Sequence, residues 1–394
     1  MKKFLLSALV VTLAMMMAST AVADKLRATK AAQYSEVLQK AAEKGDAQAQ
    51  FDLGQCYVHG KDVNRDLVKA FAWFKKAAEQ GHVEAMFALA DCYSEGFGTP
   101  EDMKTAFEWV KKSAEKGHAR GMVFTALSYD LGMGTAKNTA KGKEWRAKVI
   151  EQFQKAAKEG DVEAQSYLGL FYRMGLGLPK DEAKADEWDK KAAAQYKKLA
   201  DQGDEDAQYH LYEIYATSLR GGKDIKQGIK WLEKAAEQGY VRAQFTLAKR
   251  HTKGDGVARS NAKAIQWYSK AADQGHVEAS YILGHYYYQD KDIPEAFHWL
   301  TKAAEHGHVD AQCAVAMLYF MTRDVDDNAA AKAFEWSQKA AEQGHPTGQY
   351  NLGRCYEGGL GVEKDVDEAI TWYKLSAAQG DKPARDALKR LNVK

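Results

Sequence analysis

The 394-residue chain holds 56 basic and 54 acidic side chains, and 45% of its residues are hydrophobic. That is enough apolar material for a folded core and, by length, for two or three ordinary domains. Five prolines and 32 glycines exclude a collagen-like or low-complexity disordered chain.

In chain order, residues 1–23 come first. Lys2 and Lys3 precede an apolar run from Phe4 to Met17, and Ala21-Val22-Ala23 follows as a small-x-small cleavage site. This is the pattern of a cleaved secretory signal peptide, because the run falls short of the roughly 20 residues that span a bilayer. An uncleaved anchor is the alternative. The first cysteine is Cys56, so a lipid attached at the cleavage site is not expected. Periplasmic or secreted localisation follows, with no integral membrane segment after cleavage. Losing Lys2 and Lys3 leaves 54 basic residues against 54 acidic, and a neutral mature chain has no general pull toward nucleic acid or anionic lipid.

Residues 24–45 read as an N-terminal capping helix ending Lys40-Ala41-Ala42-Glu43-Lys44-Gly45. Beyond it the chain repeats. The tryptophans 73, 109, 145, 188, 231, 267, 299, 336 and 372 are spaced by about three dozen positions, and turn glycines keep step from Gly45 to Gly380. These markers divide the chain into nine repeats, 46–81, 82–117, 118–160, 161–203, 204–239, 240–275, 276–307, 308–344 and 345–380, with a C-terminal capping helix in 381–394.

Counting from each turn glycine, offset four is small (Ala49, Ala85), offset eight usually leucine (Leu53, Leu89) and offset twelve usually tyrosine (Tyr57, Tyr93). Spacing by four puts all three on one helical stripe. The second helix centres on Trp73, Trp109, Trp145, Trp188, Trp231, Trp267, Trp299, Trp336 and Trp372, each with a small residue three positions earlier. Each tryptophan reads as a knob filling space its small neighbours leave. The glycine then ends the helix in a left-handed cap. One hairpin cannot bury its stripes alone, so neighbours must stack. The expected fold is all-α, a right-handed superhelical solenoid of antiparallel two-helix repeats.

Ala49-Gln50-Phe51-Asp52-Leu53-Gly54, then Tyr57 and Ala70-Phe71-Ala72-Trp73, together with Gly348-Gln349-Tyr350-Asn351-Leu352-Gly353 and Trp372, resemble the Sel-one-like repeat family, relatives of tetratricopeptide repeats. The resemblance covers nearly everything after the signal peptide. It implies an adaptor or scaffold that assembles protein complexes, and exported bacterial members are linked to envelope regulation or host contact. A cell-wall or β-lactam hydrolase, claimed for some cysteine-rich relatives, is the alternative. No catalytic constellation stands out, so no enzyme activity and no cofactor are expected, and a monomer is the expected state. An open groove also disfavours a small-molecule receptor.

Local motifs fit the scaffold. The Gly-x-Gly pairs such as Gly96/Gly98 follow helices rather than strands, which makes them turns and not phosphate loops. His82, His118, His276, His308 and His345 follow turn glycines where aspartates stand in other repeats, a helix-capping position; no metal-ligand spacing appears. Cys56, Cys92 and Cys355 share one offset, and equivalent positions on stacked helices lie about 8–10 Å apart, too far to bridge. Free, partly buried thiols are expected.

Symmetry breaks in three places. Repeats three and four each carry seven extra residues, which lengthen the second helix by about 10 Å. Repeat seven loses four. The first-helix face at offsets three, seven, ten and fourteen, taken by analogy to line the concave groove, is polar in repeats one and two. It turns apolar in repeats three and four, at Phe124, Leu127, Leu131, Tyr167, Leu170 and Met174. That switch marks them as candidate residues for binding a protein or peptide partner, unless the lengthened helices cover them.

Overall fold

The computed structural model describes residues 34–60, 63–217, 225–322 and 328–393. The expected signal segment 1–23 and the beginning of the expected N-terminal cap lie outside them. Twenty α-helices occur among the described residues, with no strand and one isolated bridge between Phe97 and His276. Successive helices pack in pairs, and within each unit every second helix packs on the first helix of the next repeat. The chain forms two compact units, Met1–His276 and Val277–Lys394.

The junctions follow from their residues. Gly81 sits at φ +93°, donates its N–H to the Ala78 carbonyl, and lets the His82 N–H reach the Ala77 carbonyl. That left-handed geometry is cheap only for glycine. The next helix is then capped from its side: Asp161 accepts from the Ala164 N–H at 2.7 Å, and His82 Nδ1 accepts from the Ala85 N–H at 3.1 Å. His118 and His308 cap in the same way.

The knob is the residue after each tryptophan. Phe74, Val110, Arg146, Asp189, Leu232, Tyr268, Leu300, Ser337 and Tyr373 are all buried. In every repeat but the fifth, where Tyr212 stands, a small residue at offset nine is the hole that receives them: a Cβ on Gly54 would stand 2.6 Å from the Phe74 ring, and one on Gly353 would stand 2.7 Å from that of Tyr373. The tryptophans, one residue earlier on the helix, lie shallower. Trp231, Trp299 and Trp336 are buried, whereas the other six are half-buried. A lysine three positions on covers the ring face, with Lys112 Nζ 4.0 Å from the Trp109 centroid and Lys270 4.1 Å from Trp267. The indole therefore roofs the hairpin and its neighbour fills it.

A second regularity is polar. The glutamine at offset five donates to a carbonyl of the preceding helix, as Gln244 does to Ala236 at 3.1 Å. It also accepts from the glutamine seven positions after the tryptophan, as Gln244 does from Gln274 at 2.7 Å. Gln80–Gln50 and Gln238–Gln208 repeat this rung in the first unit, and Gln343–Gln312 and Gln379–Gln349 in the second. Each rung satisfies buried amides that would otherwise be costly.

Candidate functional site

The first-helix face at offsets three, seven, ten and fourteen differs between the units. In Met1–His276 it is closed. Asp91, at offset ten of repeat two, is paired with Arg242, at offset three of repeat six, and both are buried. The Arg242 guanidinium also lies 4.8 Å from the Phe97 ring centroid. Nearby, Arg65 donates to Glu205 at 2.7 Å. The Leu67 N–H reaches the Gln274 carbonyl at 3.0 Å, and the Gly98 N–H reaches that of Gly275 at 3.2 Å. Repeats one and two therefore touch repeats five and six, so within this unit the face is sealed by its own far end.

The seal is acidic. Burial pushes the Asp91 carboxyl up to about 6 despite the pull of Arg242. Burial, with Asp91 beside it, pushes Glu95 up to about 8. Asp206 and Glu213 are also raised by burial. One guanidinium thus stands among several carboxyls that favour the neutral form.

The six sequence-predicted binding residues lie in this unit, and four of them are interior: Phe124, Leu127, Tyr167 and Leu170 are at most 8% exposed. Leu131 and Met174 are half-buried. Phe124 packs on Phe87 of repeat two, with ring centroids 5.7 Å apart, whereas Tyr167 is covered by the seven-residue extension. Phe153, on the extended helix Thr139–Lys158, stacks on Tyr167 with centroids 5.0 Å apart. Tyr196, on the extended helix Glu182–Asp201, lies 4.6 Å from His210 in the same way. Each extension covers offset seven of the next repeat, so the apolar switch marks packing and not an open surface.

In Val277–Lys394 offsets ten and fourteen of repeat eight are open, although Asn351, at offset seven of repeat nine, is buried. On the first helix of repeat eight, Val309–Thr322, Met317 is 45% and Met321 61% exposed, and Tyr288 of repeat seven is 43% exposed. His285 is exposed and Ile282 half-buried beside them. Exposed thioethers one helical turn apart are a deformable apolar surface.

Next to it lies an arrangement that sequence reasoning missed. Cys313 Sγ is 3.3 Å from His345 Nδ1, and His345 Nε2 is 3.1 Å from Asp310 Oδ1. A sulfur, an imidazole and an orienting carboxylate in that order look like a nucleophile with its base. The thiol, however, is held at about 12 by burial and by Asp310, so it is not a standing thiolate nucleophile. The available signal was Cys313 at offset six, where Phe51, Phe87, Phe245 and Tyr281 stack on the following histidines. Among the described residues no group of three or more His, Cys, Asp or Glu side chains forms a metal centre, all four cysteines are buried, and no helix is long and apolar enough to cross a membrane.

Comparison with known proteins agrees with this architecture. The Sel1 repeat family matches at residues 47–82, 83–118, 119–161, 162–204, 206–240, 241–276, 277–308, 309–345 and 346–381. A protective antigen present in uropathogenic Escherichia coli strains, displaying an SLR fold, is 33% identical; the match covers 91% of this chain and 83% of that one, with a TM-score of 0.42. A Sel1 repeat protein from Oxalobacter formigenes is 29% identical over 90% of each chain, with a TM-score of 0.46. DAP3-binding cell death enhancer 1 of Rattus norvegicus is 46% identical over 43 residues, which is 11% of this chain and only 8% of that protein's length. Nine consecutive family matches, on a chain built of stacked helix pairs, make this protein a member of the Sel1 repeat family.

Proposed function

We propose that this chain is an exported scaffold, periplasmic or secreted, that binds a protein partner through the open first-helix face of repeats seven and eight. Sel1 repeat solenoids serve in protein–protein interaction, and the sequence pattern of residues 1–23 supports export. The observation that carries the choice of surface is the exposure of Met317 and Met321, together with that of Tyr288 in repeat seven; Met317 stands at offset ten, where Asp91 of the other unit is sealed by Arg242. A partner segment with an apolar stripe fits there, since thioethers adapt to varied side chains and release water on burial.

The test is a photo-crosslinking residue at position 321 in the exported chain, followed by identification and purification of the captured protein. The purified pair is expected to lose at least tenfold in affinity with Met321→Glu and Tyr288→Glu together, while helical circular dichroism is unchanged. Equal affinity in that double variant overturns the choice of surface. A captured partner whose binding responds instead to substitutions in the first unit overturns the reading of that unit as sealed.

A further inference from the structure

The geometry points to a binding site for a soft monovalent metal ion, of the copper(I) class, formed by Cys313 and His345, with Met317 one turn further along the helix that carries Cys313. It goes beyond the scaffold reading and does not rest on it.

The first argument is a broken pattern. His82, His118 and His308 spend Nδ1 on capping their helix. His345 occupies the same N-cap position, ahead of Pro346, yet makes no side-chain cap bond. Its Nδ1 faces Cys313 Sγ at 3.3 Å instead. In repeat seven the corresponding place holds the Tyr281 ring, stacked on His308 at 4.1 Å. A ring has thus been exchanged for a sulfur, and a capping nitrogen for one whose lone pair points at that sulfur.

The second argument is the far side of the ring. Nε2 lies 3.1 Å from Asp310 Oδ1, and the tautomer with its proton on Nε2 presents Nδ1 as a lone-pair donor. A carboxylate behind a histidine is the outer-shell arrangement that orients metal ligands and raises their basicity. Bonds of about 2.3 Å to sulfur and about 2.0 Å to nitrogen, meeting near 120°, part the two donors by about 3.7 Å. The pair needs to open by only ~0.4 Å from where it stands.

The third is the choice of ion. Cys313, Met317 and Met321 recur every four residues along one helix, so the sulfurs share a face. Met317 is 45% exposed, so its thioether stands at the surface. Thiolate, thioether and imidazole together select copper(I), whereas a tetrahedral zinc site wants four strong donors. The step balances: the metal ion replaces the S–H proton, giving S–M–N, and one proton leaves to solvent with no change of oxidation state.

The test is an anaerobic titration of the purified chain with copper(I) against excess bicinchoninate, with proton release read in parallel. One equivalent is expected to transfer, with one proton released. Cys313→Ser is expected to weaken binding at least 100-fold and Met317→Leu about tenfold. Asp310 is half-exposed, so Asp310→Asn leaves the fold intact and is expected to cost about 10–100-fold by loss of the outer-shell bond. That variant keeps the idea testable if Cys313→Ser fails to fold. Failure of the wild-type chain to withdraw copper(I), or undiminished binding in Asp310→Asn and Cys313→Ser, overturns the proposal. Both readouts are independent of partner capture, so either idea can fail alone.

Discussion

The two units are made of the same hairpin, and they treat one face of it in opposite ways. In Met1–His276, offsets three and ten carry Arg242 and Asp91, opposite charges 151 residues apart that meet and bury each other. In Val277–Lys394, the same offsets carry Asp310 and Met317, and that face stays open. The hairpin core does not decide between the two outcomes, because knobs, holes and glutamine rungs are common to both. What differs is the charge at four outward offsets and the number of repeats, since six are available to come round in one unit and three in the other. In this chain, an open surface and a closing surface are alternative uses of one face.

The largest test of this contrast removes the buried cation. Arg242→Met leaves Asp91 and Glu95 enclosed without their guanidinium, and breaking a buried pair from one side costs about 3–5 kcal/mol. Hydrogen exchange is expected to rise throughout the first unit and to stay unchanged in Val309–Thr322. Uniform change in both units would show that they are not separately stabilised.

Filling a hole should weaken both units alike. Gly54→Ala in the first and Gly353→Ala in the second each drive a Cβ into a buried ring, an overpacking that costs about 1–3 kcal/mol. Urea unfolding monitored by tryptophan fluorescence reads both. A cost in only one unit would mean that the shared hairpin core is not equivalent.

The pH dependence should belong to the first unit. Glu95 ordinarily titrates near 4.5 and is raised to about 8 when folded, and Asp91 moves from 3.8 to about 6. The folded state therefore holds protons that the unfolded chain has released. This contribution is full below about pH 4 and is lost as pH rises toward 8. Stability of the first unit is expected to fall between pH 5 and pH 8, with Glu95→Gln flattening the upper half of the slope. A rise over that window would contradict the burial of these carboxyls.

The smallest effect is a control. Lys234→Gln and Lys339→Gln each remove a lysine lying 4.2 Å over a tryptophan. An exposed cation–π contact contributes about 0.5–1 kcal/mol, so thermal midpoints should drop slightly and equally in both units.

Much of this was legible in the sequence because it is local. Turn glycines, capping aspartates and histidines, and the helical stripes all sit within a few residues of one another. The tryptophans marked the period correctly, but their size drew attention from the adjacent residue, whose identity varies from Phe74 to Asp189 while its place in the hole does not. The Arg242–Asp91 closure joins positions far apart in the chain, and no period announces it. Phe124, Leu127, Tyr167 and Leu170 showed a genuine departure from the repeat, yet an apolar switch has the same appearance whether solvent or a longer neighbouring helix lies above it. Phe153 over Tyr167 and Phe87 against Phe124 were the contacts that decided. Cys313 and His345 lie 32 residues apart, one repeat, so their meeting needed the stacking geometry as well as the missing aromatic.

The glutamine rung has one more implication. In repeat four it is made by Gln195 to Gln165, seven positions after Trp188 like every other rung, although the turn glycine there comes seven residues later than usual. The added two turns therefore extend past the fastening point without shifting it. The next repeat is hung from the far end, where Gln208 grips Ala200. A lineage can thus move its downstream repeats sideways by whole turns through heptad insertions, while every joint keeps the same fittings. Lengthened helices of this kind work as steps in a staircase, and counting residues between the rung glutamine and the turn glycine reads the height of each step.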